Sequence, residues 1–128
     1  MSTKFYRCAT CGNVIVKMVD SSVPVVCCGK PMEELIPQVQ ENGMEKHLPV
    51  VTRLDELTIK VEVGSTEHPM LPAHFIQFIY VETARGGQFV QLHPEEKPAA
   101  TFKTDEPIIA VYEYCNLHGL WKCEMKEA

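Results

Sequence analysis

Four cysteines near the start of the chain carry the strongest chemical signal. Cys8-Ala9-Thr10-Cys11-Gly12 is a knuckle, two thiols separated by two residues and followed by a glycine, a turn that aims both sulfurs at one ion while backbone N–H groups approach them. Fifteen residues later stands a vicinal pair, Cys27-Cys28-Gly29. Four thiolates around one centre suit a tetrahedral zinc or iron ion, and binding one would hold together a segment too small to fold on apolar burial alone. The spacing does not separate zinc from iron, although the adjacent pair departs from the repeated knuckles of ordinary zinc ribbons.

A second group is spread over the rest of the chain. His47 lies in Glu45-Lys46-His47-Leu48-Pro49, His68 in Glu67-His68-Pro69-Met70, and His74 just ahead of an apolar run beginning at Phe75. Cys115-Asn116-Leu117-His118-Gly119 then places a thiol and an imidazole three apart, where one turn can direct both to one ion. All five fall at strand ends or in turns. Imidazole suits iron, zinc and copper, and one thiolate added to imidazoles tunes an iron or copper centre for redox work. Cys115, His118 and Met125 could instead form a blue-copper set, but that leaves two histidines unused and asks Met125 to reach back along its strand. His93, in Leu92-His93-Pro94-Glu95, reads as an exposed loop residue, and Cys123 as a buried small hydrophobe.

The elements that position these residues read as β-structure. Leu57-Thr58-Ile59-Lys60-Val61-Glu62-Val63 alternates apolar and polar residues, the period of a strand with one buried face. Phe75–Val81 is apolar and β-branched, and Arg85-Gly86-Gly87-Gln88 reads as a hairpin turn into Phe89–Leu92. Further strands are expected at Val50–Leu54, Ala99–Lys103, Ile108–Tyr114 and Leu120–Met125. Seven short strands joined by turns favour an antiparallel sandwich. The first segment has only short β-rich runs, Val14–Val16 and Val23–Val26, and Leu35–Gly43 reads as a connector. The expected domains are therefore 1–37 and 38–128.

The totals exclude several classes. Of the 128 residues 45% are hydrophobic and 23% charged, the balance of a globular protein, and no apolar run approaches membrane length. Twelve basic against 17 acidic residues leave a net charge of −5, a poor match to nucleic acid, so an anionic substrate would need a local cation. The first residues lack the apolar core of a secretory signal, so a cytoplasmic location is expected, where reducing conditions favour thiols as metal ligands over disulfides.

With these motifs in view, the chain resembles the desulfoferrodoxins, two-iron superoxide reductases. The residues that carry the resemblance are Cys8-x2-Cys11, Cys27-Cys28, Glu45-Lys46-His47-Leu48-Pro49, His68-Pro69-Met70, His74 and Cys115-Asn116-Leu117-His118-Gly119-Leu120-Trp121-Lys122. The resemblance implies an all-β chain, a small desulforedoxin-like domain followed by an immunoglobulin-like sandwich. It implies two iron ions: one held by Cys8, Cys11, Cys27 and Cys28, where zinc can substitute, and one held by His47, His68, His74 and His118 in a plane with Cys115 axial. The implied activity is one-electron reduction of superoxide to hydrogen peroxide without dioxygen release, detoxifying superoxide in an anaerobe or microaerophile. Lys46 would draw superoxide in and orient the water that protonates the peroxide, and Glu45 would close the open iron position in the ferric state. A rubredoxin-like electron donor and a homodimer are also implied. The rival class is a non-catalytic two-centre electron carrier, iron or blue-copper-like.

Overall fold

The computed structural model describes residues 3–40, 46–65 and 67–125. Among them there is no helix, and the chain divides into two compact units, Met1–Ile36 and Pro37–Ala128.

The first unit is built from very short strands because its sequence offers no sustained alternation. β1 (Phe5–Arg7) pairs antiparallel with β2 (Val14–Val16) and, on its other side, with β5 (Glu33–Leu35). β3 (Val26–Cys27) and β4 (Lys30–Pro31) form a separate two-residue hairpin. Phe5 and Cys8 are its buried apolar residues. Two expectations shift here. Val23–Val26 is not a strand until Val26, and Val23, Val25 and Val26 are exposed. Leu35, read as the start of a connector, ends β5 and pairs with Phe5.

The second unit is an immunoglobulin-like antiparallel β-sandwich. One sheet has the order β10-β7-β6, from β6 (Pro49–Arg53), β7 (Thr58–Val63) and β10 (Ala99–Lys103). The other has the order β12-β11-β8-β9, from β8 (Ile76–Thr83), β9 (Gly86–Gln91), β11 (Ile108–Cys115) and β12 (Gly119–Glu124). The alternation read from the sequence sets the inward faces: Ile59, Val61 and Val63 on β7 pack with Ile79 and Val81 on β8, Phe102 on β10 and Val111 on β11. Leu57, which continues that alternation on paper, lies outside β7 and is half exposed, because Leu57 N–H is turned onto the Asp55 carboxylate.

The β8–β9 hairpin turns at Ala84-Arg85, not at Gly86-Gly87, since Thr83 pairs with Gly86 and Glu82 with Gly87. Gly87 is needed within the strand for space. The Tyr80 ring lies across it, and a Cβ at that position would overlap the ring.

Antiparallel pairing brings several chain ends to one edge of the sandwich. Pro49 at the start of β6 pairs with Val63 at the end of β7, while Ile76 at the start of β8 pairs with Cys115 at the end of β11. A bulge at Gln77 lies in this corner: Phe78 pairs with Tyr114, but Cys115 pairs with Ile76. Bulges re-aim side chains at such rims.

Candidate metal centres

In the first unit each half of the cysteine cluster is set by a turn. Cys8 N–H bonds Asn13 C=O and Gly12 N–H bonds Cys8 C=O, both at 2.9 Å, with Gly12 at φ 84°, and Cys11 N–H approaches Cys8 Sγ at 3.4 Å. The vicinal pair has its own device. Cys28 (φ 54°) and Gly29 (φ 77°) are the two central residues of the β3–β4 hairpin, the left-handed pair that a two-residue turn of this hand requires. Adjacent side chains on a strand point to opposite faces, so the turn at Cys28 is what lets both sulfurs face one centre.

The four sulfurs lie within 4.8 Å of one another, and Cys11 Sγ stands 3.6 Å from Cys27 Sγ. That is far beyond a disulfide bond, and near the ~3.8 Å edge of a tetrahedron with metal–sulfur bonds of about 2.3 Å. All six cysteines of the chain are free thiols. Crowding separates their acidities: the Cys11 backbone N–H brings the Cys8 thiol down to about 6, while the Cys8 side chain, followed by that of Cys11, pushes Cys28 up to about 12. A cation at the centre removes that conflict by accepting all four as thiolates.

The second group gathers at the edge of the sandwich just described. His47 precedes β6, and its neighbour Leu48 is held by Gly64 N–H at 3.0 Å. His68 and His74 come from the β7–β8 connection, Cys115 ends β11, and His118 lies in the β11–β12 turn. Their donor atoms all lie within 4.8 Å of one another. The imidazoles close a cycle: ring centroids are 4.8 Å apart for His47–His68, 4.8 Å for His68–His74, 5.0 Å for His74–His118 and 4.8 Å for His47–His118. Neighbouring rings are tilted by 68–81°, each presenting its edge to the next.

Distances and unsatisfied atoms fit a metal here. Nitrogens held at about 2.1 Å from an ion and at right angles stand ~3 Å apart, and His47 Nε2 is 3.0 Å from His118 Nδ1. Cys115 Sγ lies 3.7 Å from the same His118 Nδ1. His68 Nδ1 is bonded to Pro69 C=O at 2.6 Å, which leaves Nε2 for the cluster, and Nε2 of both His68 and His74 is buried with no hydrogen-bond partner among the described residues. Burial holds His68 down to about 4 and lowers His74, whose proton is further disfavoured by His118, His47 and Lys46. Neutral buried imidazoles are the ligating form. Burial raises the Cys115 thiol, against the N–H groups of Leu117 and His118. The donor sets of both groups therefore fit iron binding.

Lys46 is half-buried beside His47, and its charge reaches His74. Glu45 lies outside the described residues. His93 is exposed and pairs with Glu96 at 3.0 Å, away from the group. Met125 bonds Ile109 at the far end of β11 from Cys115, which removes the blue-copper set.

Comparison with known proteins agrees with this geometry. Residues 39–124 match the family model for desulfoferrodoxin. The desulfoferrodoxin of Syntrophotalea carbinolica is 42% identical over 120 residues, covering 93% of this chain and 94% of that protein. The chain belongs to the desulfoferrodoxin family. Solved structures agree with a desulfoferrodoxin fold: the superoxide reductase of Treponema pallidum superposes with a TM-score of 0.82 at 28% identity, covering 96% of this chain and 98% of the other. The one-iron superoxide reductase of Giardia intestinalis gives 0.56 at 27% identity, with 65% of this chain matching 99% of it. This desulfoferrodoxin is accordingly a metal-binding oxidoreductase.

Two side chains that sequence reading did not single out stand near the second group. Trp121 stacks on His47, centroids 4.8 Å apart and planes within 13°. Glu113 is fully buried two residues before Cys115, and its charge contributes to raising that thiol. The period of two within Ile108–Cys115 was enough to put Glu113 on the Cys115 face. The Trp121 stack depends on the approach of the loop before β6, which no local pattern encodes.

The lowered His68 gives a pH prediction. In the metal-free chain the unfolded state takes up a proton at His68 from about pH 6.5 downward while the folded state holds it off until about 4, so folding stability falls through that window and levels off below it. Thermal midpoints of the metal-free chain measured from pH 8 to pH 4 should show this decline, and replacing His68 with glutamine should reduce it.

Proposed function

We propose that the chain is a superoxide reductase, carrying out one-electron reduction of superoxide to hydrogen peroxide with uptake of two protons and no release of dioxygen. The observation that carries this reading is the closed cycle of four imidazoles with one buried thiol beside it, a donor set that fits iron and belongs to a family whose relatives include named superoxide reductases. Ferrous iron bound by His47, His68, His74, His118 and Cys115 would supply the electron. The side chains of this protein do the rest. His47, His68 and Cys115 are buried while His118 is exposed, so the group meets the surface at His118, where a small anion could approach it.

Lys46 provides a local cation on an acidic chain of net charge −5. Its position beside the group supports a role in drawing superoxide in and holding a water that delivers a proton. Glu45, its neighbour in sequence, is proposed as the carboxylate that closes the site after oxidation. Cys8, Cys11, Cys27 and Cys28 are proposed to hold a first iron that relays electrons from a rubredoxin-like donor or holds its unit together. A cytoplasmic homodimer in an anaerobe or microaerophile, detoxifying superoxide, completes the proposal.

The direct test exposes the anaerobically reduced, iron-loaded protein to a known pulse of superoxide and counts peroxide and dioxygen against a protein-free control. Peroxide without the extra dioxygen of dismutation is expected; consumption no faster than the control would make the centre an electron carrier and end the reductase reading. Lys46→Ala should slow the reaction at low ionic strength by on the order of 10-fold and flatten its salt dependence, with both metals retained. An unchanged rate constant at low salt would remove the steering role.

A further inference from the structure

His74 reaches the second group from the β7–β8 connection, a loop with no strand ladder along it, whereas Cys115 is fixed by pairing on β11. The loop nevertheless has a rigid local frame. Leu71 and His74 exchange two backbone hydrogen bonds, Leu71 N–H to His74 C=O at 2.9 Å and His74 N–H to Leu71 C=O at 3.0 Å. Those bonds shape the loop on itself, and they do not tie it to the other ligands.

We propose that Asn116 is the positioning residue that sets His74 against Cys115 and His118. Three hydrogen bonds support this. The Asn116 side-chain Nδ2 donates to Ala73 C=O at 3.0 Å, its Oδ1 accepts from Phe75 N–H at 2.9 Å, and its backbone N–H donates to Phe75 C=O at 3.3 Å. Ala73 C=O belongs to the peptide before His74, and Phe75 N–H to the peptide after it. One amide therefore holds both peptide planes that meet at the His74 Cα, which fixes the direction of its side chain as a neighbouring strand would. The partners also assign the amide orientation, because only one arrangement sets a donor against the carbonyl and an acceptor against the N–H.

The requirement selects asparagine. Aspartate of the same size lacks the donor, serine offers one atom where two are needed, and glutamine places its amide a carbon further out. The residue sits between Cys115 and His118, and its bonds span 41 and 43 positions of sequence to reach the His74 loop. Groups that orient ligands in this way affect metal retention without touching the ion.

This inference rests on reading the four-histidine, one-cysteine group as an iron site. Its test uses the full iron-loaded chain and the variants Asn116→Ala and Asn116→Asp. Each is challenged with a chelator while iron loss from the two centres is followed separately by absorption. Release from the histidine–cysteine centre about 10- to 100-fold faster than in the parent chain is expected. The four-cysteine centre should release its metal at the parent rate, while the thermal midpoint of the loaded chain falls only as far as the weaker iron binding requires. The aspartate variant keeps the side-chain size, so it decides the matter if the alanine variant does not fold. Release at the parent rate, or equal loosening of both centres with a lowered midpoint, would overturn the positioning role. A parent chain that holds no iron at the histidine–cysteine group would overturn the functional reading as well.

Discussion

Donor atoms crowded together without protons to share impose the main constraint on this molecule. His68 and His74 each bury an Nε2 with no hydrogen-bond partner among the described residues, and Cys115 is fully buried with its thiol raised by desolvation. An unsatisfied buried polar atom costs about 1–3 kcal/mol, and a cation held by several of them at once would offset that cost. The sandwich can hold such a group because its core of Ile59, Val61, Val63, Ile79, Val81 and Val111 lies within the paired strands and leaves the edge free for ligands. The loops at that edge are then pinned one by one, Leu48 by Gly64, His118 C=O by the Gln38 side chain at 2.7 Å, and the His74 loop by Asn116.

The two centres solve the same problem on different length scales. The four-cysteine group is local: one knuckle, one two-residue hairpin and the left-handed Cys28 bring together sulfurs no more than twenty residues apart. The histidine–cysteine group draws on residues from His47 to His118 and exists only when both sheets are assembled. The first therefore organises a unit with almost no core, while the second is organised by a core that already exists.

That difference explains how much could be read in advance. The four-cysteine cluster was legible because knuckle spacing is itself the geometry. The five side chains of the second group were legible as residue types at strand ends, and their convergence follows from antiparallel pairing of strands whose alternation was plain in Thr58–Val63 and Ile108–Cys115. Strand existence survived better than strand ends: Gly86-Gly87 attracted the turn that Ala84-Arg85 makes, because the need for Gly87 comes from the Tyr80 ring on the neighbouring strand. The Trp121 stack on His47 and the Asn116 clamp were invisible for the same reason, since each joins residues dozens of positions apart through contacts that leave no period in the sequence.

The central claim is that five side chains of one sandwich edge hold a single iron. X-ray absorption at the iron edge, on the full chain with zinc filling the four-cysteine centre, addresses it without reliance on turnover. The account predicts a first shell dominated by four imidazole nitrogens with one sulfur, the sulfur lost in Cys115→Ser. A shell of sulfur alone, or one with no sulfur, would contradict it.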